Sequence, residues 1–349
     1  MRVQAGGIRA TRSSVNRTIG VATQTAWRQV VKKFERPHHG RAIWQIINSF
    51  GPYFILWALM VWSFSISYWL TLALMVPAVG FLIRIFIIFH DCCHGSFFRS
   101  ARANEVVGTV GGLLTFTPYR YWRFTHAVHH ATAGNLDYRG VGDVWTMTLA
   151  EYEAASFWTR LGFRLYRNPI VMFGLAPFYM FFIHNRFAIP RYGWRRQLSV
   201  QQTNLLLLGV LLVAARTIGL ERYLLIQVPL MMLAGALGIW LFYVQHQFDG
   251  VYWERDKEWS YLETALQGSS FYKLPRVLQF FTGNIGFHHV HHLSPRIPNY
   301  YLEPCHQSDE LFRNVTPLRV RESLRCLRYR VWDEKRRKLV GLRPLGFLF

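Results

Sequence analysis

The sequence predicts an all-α integral membrane protein with two transmembrane helical hairpins, that is, four principal spans. Long apolar runs recur along a chain of 349 residues that is 51% hydrophobic, and about 20 apolar residues suffice for a helix to cross the bilayer core. Basic residues are in excess, 40 Lys and Arg against 19 Asp and Glu. They gather towards the two ends of the chain, as is typical of cytosolic segments. Interfacial helices and a cytosolic, histidine-rich helical cap complete the predicted architecture.

The N-terminal region predicts a cytosolic tail followed by the first hairpin. Residues 1–42 are basic and carry a single acid, Glu35. Organelle transit peptides share this bias, but positive residues also hold a segment in the cytosol, and we favour the tail. The apolar runs Ile43–Phe64 and Tyr68–Phe89 are separated by only three residues, which is enough for a tight turn. Residues 43–90 are therefore predicted to form a transmembrane hairpin.

The region that follows the first hairpin is predicted to be cytosolic. Residues 91–168 are mostly polar and basic, and their apolar stretch Val106–Phe116 is too short to cross the membrane as a helix. Just before this region, Arg84 lies inside the second apolar run. A long basic side chain there either extends to the membrane surface or faces the protein interior.

One later apolar run is predicted not to cross. Ile170–Ile183 is interrupted by Gly174 and Pro177. If the histidine clusters described below meet in one compartment, an even number of membrane crossings separates them. One of the three later apolar runs therefore does not cross the membrane. Residues 169–196 are therefore predicted to be interfacial or re-entrant.

The second hairpin and the cap occupy the rest of the chain. The runs Leu205–Thr217 and Tyr223–Val244 predict a hairpin over residues 197–245. Residues 246–349 contain no run long enough to span the membrane, so they are predicted to form the cytosolic cap. Its basic C-terminal stretch, Arg313–Arg343, is typical of contact with anionic lipid headgroups.

The composition argues against two other classes of protein. A net charge of +21 would suggest a nucleic-acid partner, but the apolar residues are gathered into long runs, so the basic stretches are interpreted as membrane-surface contacts and no nucleic acid is expected. The cysteines are too few for a disulfide framework and are interpreted as reduced thiols. They are Cys92, Cys93, Cys305 and Cys326.

Histidine spacing is the strongest functional signal. One cluster has two histidines four residues apart, and two further clusters repeat the pattern H-x-x-H-H. Spacings of three and four place side chains on one face of a helix, as in metal sites built on helices. The clustered histidines, with one more at the end of the last apolar run, are His90, His94, His126, His129, His130, His246, His288, His291 and His292.

Nine imidazoles are too many for one ion with four to six ligands, so two metal ions are predicted. Paired Glu-x-x-His motifs are missing from the sequence, which argues against a carboxylate-bridged di-iron bundle. Histidine ligands beside a membrane suit oxygen-activating iron that attacks an unactivated C–H bond.

These clusters resemble the three histidine boxes of the membrane-bound fatty acid desaturases, in the bacterial acyl-lipid branch that includes delta-5 and delta-12 enzymes. The boxes read H-D-C-C-H, H-A-V-H-H and H-H-V-H-H, and the flanking strings L-Q-G-S-S-F-Y-K-L-P and G-N-I-G-F-H-H-V-H-H-L-S-P-R-I-P-N-Y fit the same branch. The resemblance runs from about Trp44 to about Trp332. It implies a cytosol-facing di-iron centre, four principal membrane helices and a narrow apolar tunnel for one acyl chain.

The resemblance implies that the nine histidines are the metal ligands, with no catalytic side chain beyond them and no organic cofactor. It also exposes a departure, because animal acyl-CoA members have an asparagine four residues before the last-helix histidine, and Phe242 stands there. No haem-binding extension is present in the sequence, so electrons are expected from an external ferredoxin or flavodoxin that docks on the basic face.

The expected activity is an O2-dependent desaturation that uses two electrons to introduce a cis double bond into a membrane lipid acyl chain. The expected location is the bacterial cytoplasmic membrane, with the active site facing the cytosol. A hydroxylase or ketolase acting on a lipid, alkane or carotenoid would use the same ligands. A membrane metal transporter is a second alternative, although transporters usually place their ligands at the bilayer midplane.

Several other residues carry weaker predictions. Four polar residues either accept N–H bonds from ligating imidazoles or cap helices: Asp91, Asn135, Asp137 and Asp143. The stretches Tyr119–Trp122 and Tyr252–Trp259 are interpreted as an interfacial aromatic belt. His289 is expected to have a structural role, His184 to be an interfacial anchor, and three histidines to be solvated: His38, His39 and His306.

Overall fold

The computed structural model describes residues 21–187 and 189–342, with side chains from residue 26 onward. The first twenty residues of the predicted tail, with Arg2, Arg9, Arg12 and Arg17, lie outside them. The helices are α1 (Val21–Lys32), α2 (His39–Phe64), α3 (Tyr68–His94), α4 (Ala101–Leu114), α5 (Tyr119–Thr132), α6 (Leu149–Ala154), α7 (Phe157–Tyr166), α8 (Ala176–Phe178), α9 (Trp194–Thr217), α10 (Leu220–His246), α11 (Tyr261–Gln267), α12 (Arg276–Phe281), α13 (His288–Leu293), α14 (Leu302–Gln307), α15 (Glu310–Arg313) and α16 (Val320–Ser323).

The helical content confirms the predicted all-α membrane class. Four helices are long and apolar enough to cross a membrane, namely α2, α3, α9 and α10. Their outward faces carry large exposed apolar side chains such as Trp69 and Leu205, which suits a lipid environment better than water. Two pairs of short strands, β1 (Phe271–Lys273) with β2 (Pro317–Arg319) and β3 (Val331–Asp333) with β4 (Lys338–Val340), were not predicted.

A short turn joins each pair of long helices. Between α2 and α3, the Ser67 amide donates to the carbonyl of Ser63 at 2.9 Å, and the hydroxyls of Ser63 and Thr71 lie 2.9 Å apart. Between α9 and α10, Gly219 takes a φ of +89°, which is accessible mainly to glycine. Since α3 and α10 end at His94 and His246, the two turns bring the histidine-bearing ends of both helices to one side.

The interrupted run at residues 170–183 packs against α10. It consists of π-helical turns at Val171–Leu175 and Tyr179–Ile183 on either side of α8, and it is too short to cross a bilayer as a helix. A Cβ on Gly235 of α10 would lie 2.8 Å from the ring of Phe181 and 2.9 Å from Pro177. The close packing of this segment on α10 therefore requires glycine.

Helix α1 lies on the part of the chain that carries the third histidine box. Trp27 and Val31 of α1 are buried in one apolar cluster with Val290 and Leu293 of α13. Trp27 stacks on Tyr261 with ring centroids 6.5 Å apart, and the Tyr261 hydroxyl donates to the carbonyl of His292 at 2.7 Å. The N-terminal helix thus supports the backbone of the third box.

Arg84 faces the protein interior. Its Nε donates to the Ser49 hydroxyl at 3.0 Å, another guanidinium nitrogen donates to the Phe280 carbonyl, and the guanidinium lies 3.9 Å from the centre of the Phe280 ring. Arg84 therefore holds α12 against α2 and α3, and of the two placements open from the sequence it adopts the interior one.

Candidate metal centre

The nine clustered histidines converge into two groups. The first group has five members, and the second has four; within each group the ligand atoms all lie within 4.8 Å of one another. The first group consists of His90, His94, His126, His130 and His291. The second group consists of His129, His246, His288 and His292.

Each H-x-x-H-H box divides its histidines between the groups by the same rule. In α5 the pair spaced by four, His126 and His130, joins the first group, and His129 joins the second. In α13 the pair spaced by four joins the second group, and His291 joins the first. Successive helical residues point about 100° apart, so adjacent histidines face different points. Three nitrogens of one box do not meet at a single point.

The ring nitrogens of the second group are arranged to hold a cation. The Nδ1 of His129 lies 2.6 Å from an Asp143 carboxylate oxygen, and the Nδ1 of His246 lies 3.3 Å from the carbonyl of Gly268. Both oxygens only accept, so each Nδ1 carries the ring proton and each Nε2 presents a lone pair. Those two Nε2 atoms are 3.2 Å apart, and the Nε2 of His288 is 2.9 Å from that of His246. Facing lone pairs at this separation need a positive ion between them, and nitrogens bound to one metal at about 2.1 Å have this spacing.

The first group is held by a buried hydrogen-bond network. The carboxylate of Asp91 lies 3.1 Å from the Nδ1 of His90, and its other oxygen accepts from the backbone N–H and the Nδ2 of Asn299 at 2.7 and 2.9 Å. Gln45 of α2 donates to the Oδ1 of Asn299 at 2.7 Å. Asp91 and Asn299 are each 1% exposed. The network fixes the His90 ring with its Nε2 lone pair directed into the group, as partners of metal-bound imidazoles commonly do.

An aromatic ring and a cavity adjoin the second group, whose four histidines are all buried. The Phe242 ring lies 5.2 Å from the ring of His129 and 5.1 Å from that of His246. An apolar ring thus occupies the position for which the resemblance to the animal acyl-CoA members implies an asparagine. A cavity adjoins the group. It is lined by His129, Ala133, Gly134, Asp143, Val144, Phe242, His246, Gln247, Trp253 and Gly268.

Burial favours the neutral form of five histidines in the second and third boxes. Desolvation, with the neighbouring imidazoles, lowers the pKa of five histidines well below the ordinary histidine value. They are His126, His130, His288, His291 and His292. Neutral imidazole is the form that binds a metal ion. The sites therefore fit divalent iron, copper or zinc by donor type.

Some weaker predictions were wrong. Asn135 donates to Asp256 at 3.0 Å and Asp137 pairs with Arg255 at 2.7 Å, so neither contacts a clustered imidazole. His306 is buried, 4% exposed, rather than solvated, and its Nδ1 lies 3.1 Å from the Nε2 of His289. His289 lies outside both groups, as expected, and His38 and His39 are exposed.

The aromatic belt assignment also fails in part. Tyr119 is buried and donates its hydroxyl to the Cys92 carbonyl at 2.8 Å, and Trp122 stacks on His126 with centroids 4.1 Å apart. Sequence reasoning missed Asn299 and Gln45 as supports of the first group. The one available signal was the position of Asn299 in the string that follows the third box, L-S-P-R-I-P-N-Y.

Comparison with known proteins identifies the family of this chain. Residues 66–316 match a family model described as fatty acid desaturase. The chain is 48% identical over 315 residues to "Fatty acid desaturase" of Bacillus subtilis strain 168, and this covers 90% of each chain. The chain belongs to the fatty acid desaturase family. It is therefore a desaturase enzyme of the membrane, and not the metal transporter that the histidines alone also allowed.

More distant members of the desaturase family show related chemistry under their own names. The "sn-1 oleoyl-lipid 12-desaturase" of Synechocystis is 27% identical over 240 residues, which cover 64% of this chain and 63% of that relative. The "sn-2 acyl-lipid omega-3 desaturase (ferredoxin), chloroplastic" of Arabidopsis thaliana is 27% identical over 268 residues, which cover 71% of this chain and 57% of that relative.

Proposed function

We propose that this desaturase acts on acyl chains of membrane lipids and binds two iron ions, one in each histidine group. The proposal rests on the Nε2 atoms of His129 and His246, whose lone pairs face each other 3.2 Å apart. Facing ring nitrogens recur in both groups. Bound iron would supply the activation of O2 that hydrogen removal from an unactivated methylene requires. The names of two distant relatives, an oleoyl-lipid and an acyl-lipid desaturase, support the lipid-linked substrate.

The chain's own residues hold and orient this centre. Asp91 and Asp143 keep the ring protons of His90 and His129 on Nδ1, so the opposite nitrogens stay free for metal. Trp122, stacked on His126, shields the first group from water on one side. A chain carbon reacts only if it is held beside the iron pair, so the depth to which the acyl chain inserts sets the position of the cis double bond.

The proposed orientation places both histidine groups on the cytosolic side of a bacterial cytoplasmic membrane. Helices α3 and α10 end at the groups, and the part of the chain that follows them is rich in exposed basic residues, as cytosolic segments are. The exposed basic residues of the C-terminal region include Arg313, Arg319, Arg321, Arg325, Arg328, Lys335, Arg336, Arg337 and Lys338.

We propose that this basic surface receives an acidic electron carrier of the ferredoxin or flavodoxin type. Opposite charges accelerate the encounter of two proteins, and the acceleration falls with ionic strength. Exchanging Arg325 and Arg328 for Glu is expected to lower the rate of electron delivery by about tenfold at low salt, measured by stopped-flow oxidation of the reduced carrier. An unchanged rate would contradict docking at this surface.

The deciding experiment is a fatty-acid profile of membranes from a bacterial host that expresses the chain with a ferredoxin and its reductase. Dimethyl disulfide adducts locate any new double bond. We expect a new unsaturated acyl chain in the phospholipid fraction, and we expect it to be missing with His291→Ala.

The other outcomes are equally informative. Chains that gain one oxygen, instead of losing two hydrogens, would identify a hydroxylase built on the same ligands. Unsaturated product confined to acyl-CoA or acyl carrier protein would contradict the lipid-linked substrate. Continued absence of product from iron-loaded protein, supplied with reductant, would contradict the proposed reaction. Metal analysis of the purified protein tests the two-iron assignment separately.

A further inference from the structure

Two buried donors without protein partners lie at or near the cavity beside the second histidine group. The indole Nε1 of Trp253 and the hydroxyl of Thr264 have no hydrogen-bond partner among the described residues, although the two residues are only 4% and 2% exposed. Trp253 lines the cavity. A Cβ on Gly134, which also lines it, would lie 3.3 Å from the Thr264 hydroxyl, so that hydroxyl is next to a residue of the cavity wall.

Buried polar groups of this kind are normally satisfied by ordered water. Leaving one unpaired is unfavourable, and a buried water typically makes about three hydrogen bonds to such groups. The cavity wall offers further partners in Asp143 and Gln247. A site with several convergent polar groups and a small volume suits water and not an alkyl chain, because an alkyl chain would leave each of those groups unpaired.

The cavity lies towards the loop side of the protein. Trp253 packs in an apolar cluster with Leu136, Val251, Trp332 and Leu339, residues that lie outside the four long helices. Asp143 follows Gly140 and Gly142, both exposed. The cavity thus lies between the second histidine group and an exposed loop, away from the lipid-facing surfaces of α2 and α9.

The proposed reaction needs such a connection. Converting a CH2–CH2 unit to CH=CH with one O2 consumes two electrons and two protons and releases two waters. The carrier supplies the electrons, but protons and water must cross the protein. At the first histidine group, Asp91, Asn299 and Gln45 bond to one another in a buried network beside His90, whereas the cavity described above adjoins the second group.

We propose that the cavity beside the second histidine group is a water-filled passage through which protons reach the centre and product water leaves. The inference rests on the proposed desaturation for its purpose, but the presence of water in the cavity is independent of it. Trp253 and Thr264 are positioning residues that anchor this water.

The first test measures water in the cavity and needs no activity. In protein labelled with 15N-tryptophan, the Trp253 indole signal is assigned by its loss in Trp253→Phe, and its hydrogen exchange with solvent is compared with that of Trp259, whose indole donates to the Ala133 carbonyl at 3.0 Å and which does not line the cavity. We expect Trp253 to exchange at least about tenfold faster and to show magnetisation transfer from water. Equal exchange and no transfer from water would overturn the proposal, as would a Trp253 signal that responds to an acyl chain analogue and not to water.

The second test measures proton delivery. Thr264→Val and Trp253→Phe are expected to lower the rate of double-bond formation by about tenfold, to increase the solvent isotope effect, and to leave metal content and thermal stability as in the parent. Trp332→Phe is the matched control and is expected to change none of these. A rate and an isotope effect equal to those of the parent in both variants would overturn the proposal. If the parent forms no double bond, the proposed function fails, and the exchange experiment still decides the passage.

Discussion

The two histidine groups differ in what surrounds them. The first has five imidazoles, and its member His90 is fixed through Asp91 to Asn299 and to Gln45 on the first spanning helix, all buried. The second has four imidazoles, a carboxylate from an exposed loop and a neighbouring cavity. The groups therefore differ in what adjoins them, a buried hydrogen-bond network or a cavity, and not in the burial of their imidazoles: all four of the second group are buried, and His94 of the first is partly exposed.

The sharpest test of this comparison uses two adjacent residues. His291 belongs to the first group and His292 to the second. Replacing either with Ala is expected to reduce the bound iron to about half and the desaturase activity by at least about 10³-fold, because an open coordination position is left in a buried site. Metal analysis gives the stoichiometry, and Mössbauer spectra of 57Fe-loaded protein show which iron is lost.

A replacement of exposed His38 with Ala is the control and should retain both irons. If the two substitutions remove the same iron, the division of each box between two groups is wrong.

The supports of the two groups give the next largest effect. Asp91→Asn removes a buried carboxylate that accepts three N–H bonds, and Asp143→Asn removes the carboxylate of the exposed loop. Metal affinity is expected to fall by about 10–100-fold at the group concerned, with Asp91→Asn nearer the upper figure. Competition with a chromophoric chelator measures each affinity.

Asn104→Ala is the matched control for the first group. Asn104 is buried and bonds only backbone atoms, those of Phe98 and Ser100. A loss of metal affinity as large as that of Asp91→Asn would mean that general destabilisation, and not support of His90, explains the effect.

The free energy of unfolding of the metal-free protein should depend on pH through histidines of both groups. Folding lowers the pKa of the five box histidines named above, so below about pH 6.5 the unfolded chain binds protons that the folded chain does not. The free energy of unfolding of the metal-free protein should therefore fall with decreasing pH, by up to about 1.4 kcal/mol per histidine for each pH unit. Above that pH, the free energy of unfolding should not depend on the protonation of these five histidines. Thermal unfolding monitored by circular dichroism across pH 5–8 measures the trend.

With iron bound as proposed, the second group should release its ion first on acidification if the cavity beside it admits water. Release of the first iron at the higher pH would reverse the comparison between the groups.

The smallest predicted effect concerns Phe242. Phe242→Asn places an amide beside His129 and His246 and leaves the first group untouched. We expect iron retention at the second group to change by less than about tenfold, with an altered Mössbauer signal for that iron alone. Leu241→Asn, one residue earlier in α10, is the control. A changed signal from the first iron would show that a substitution beside the second group also alters the first group.

Much of this fold could be predicted from local pattern. Run lengths and the short turn at Ser65–Ser67 predict the first hairpin, because bilayer thickness fixes helix length. Spacing within each box predicts that its histidines lie on one helix. The division of His129 from His130 follows from helical geometry, yet only the positions of α3 and α10 decide which group each one joins.

The supports could not be predicted in the same way. Asn299 lies more than two hundred residues from Asp91, and an asparagine after a proline is equally typical of a turn. His306 looks solvated in sequence, but α14 buries it against His289. Such contacts depend on how distant segments pack, and no local pattern carries that information.

The division of each box has a consequence for how the enzyme tolerates its surroundings. His129 and His130, like His291 and His292, are joined by one peptide unit yet serve different groups. In the proposed two-iron centre, the backbone segments that carry ligands of the two ions are therefore tied together within each box, since a peptide unit barely deforms. Changes in bilayer thickness that tilt or slide the spanning helices act on α3 and α10, which each serve a single group. We therefore expect the separation of the two proposed ions to vary little across lipids of different chain length.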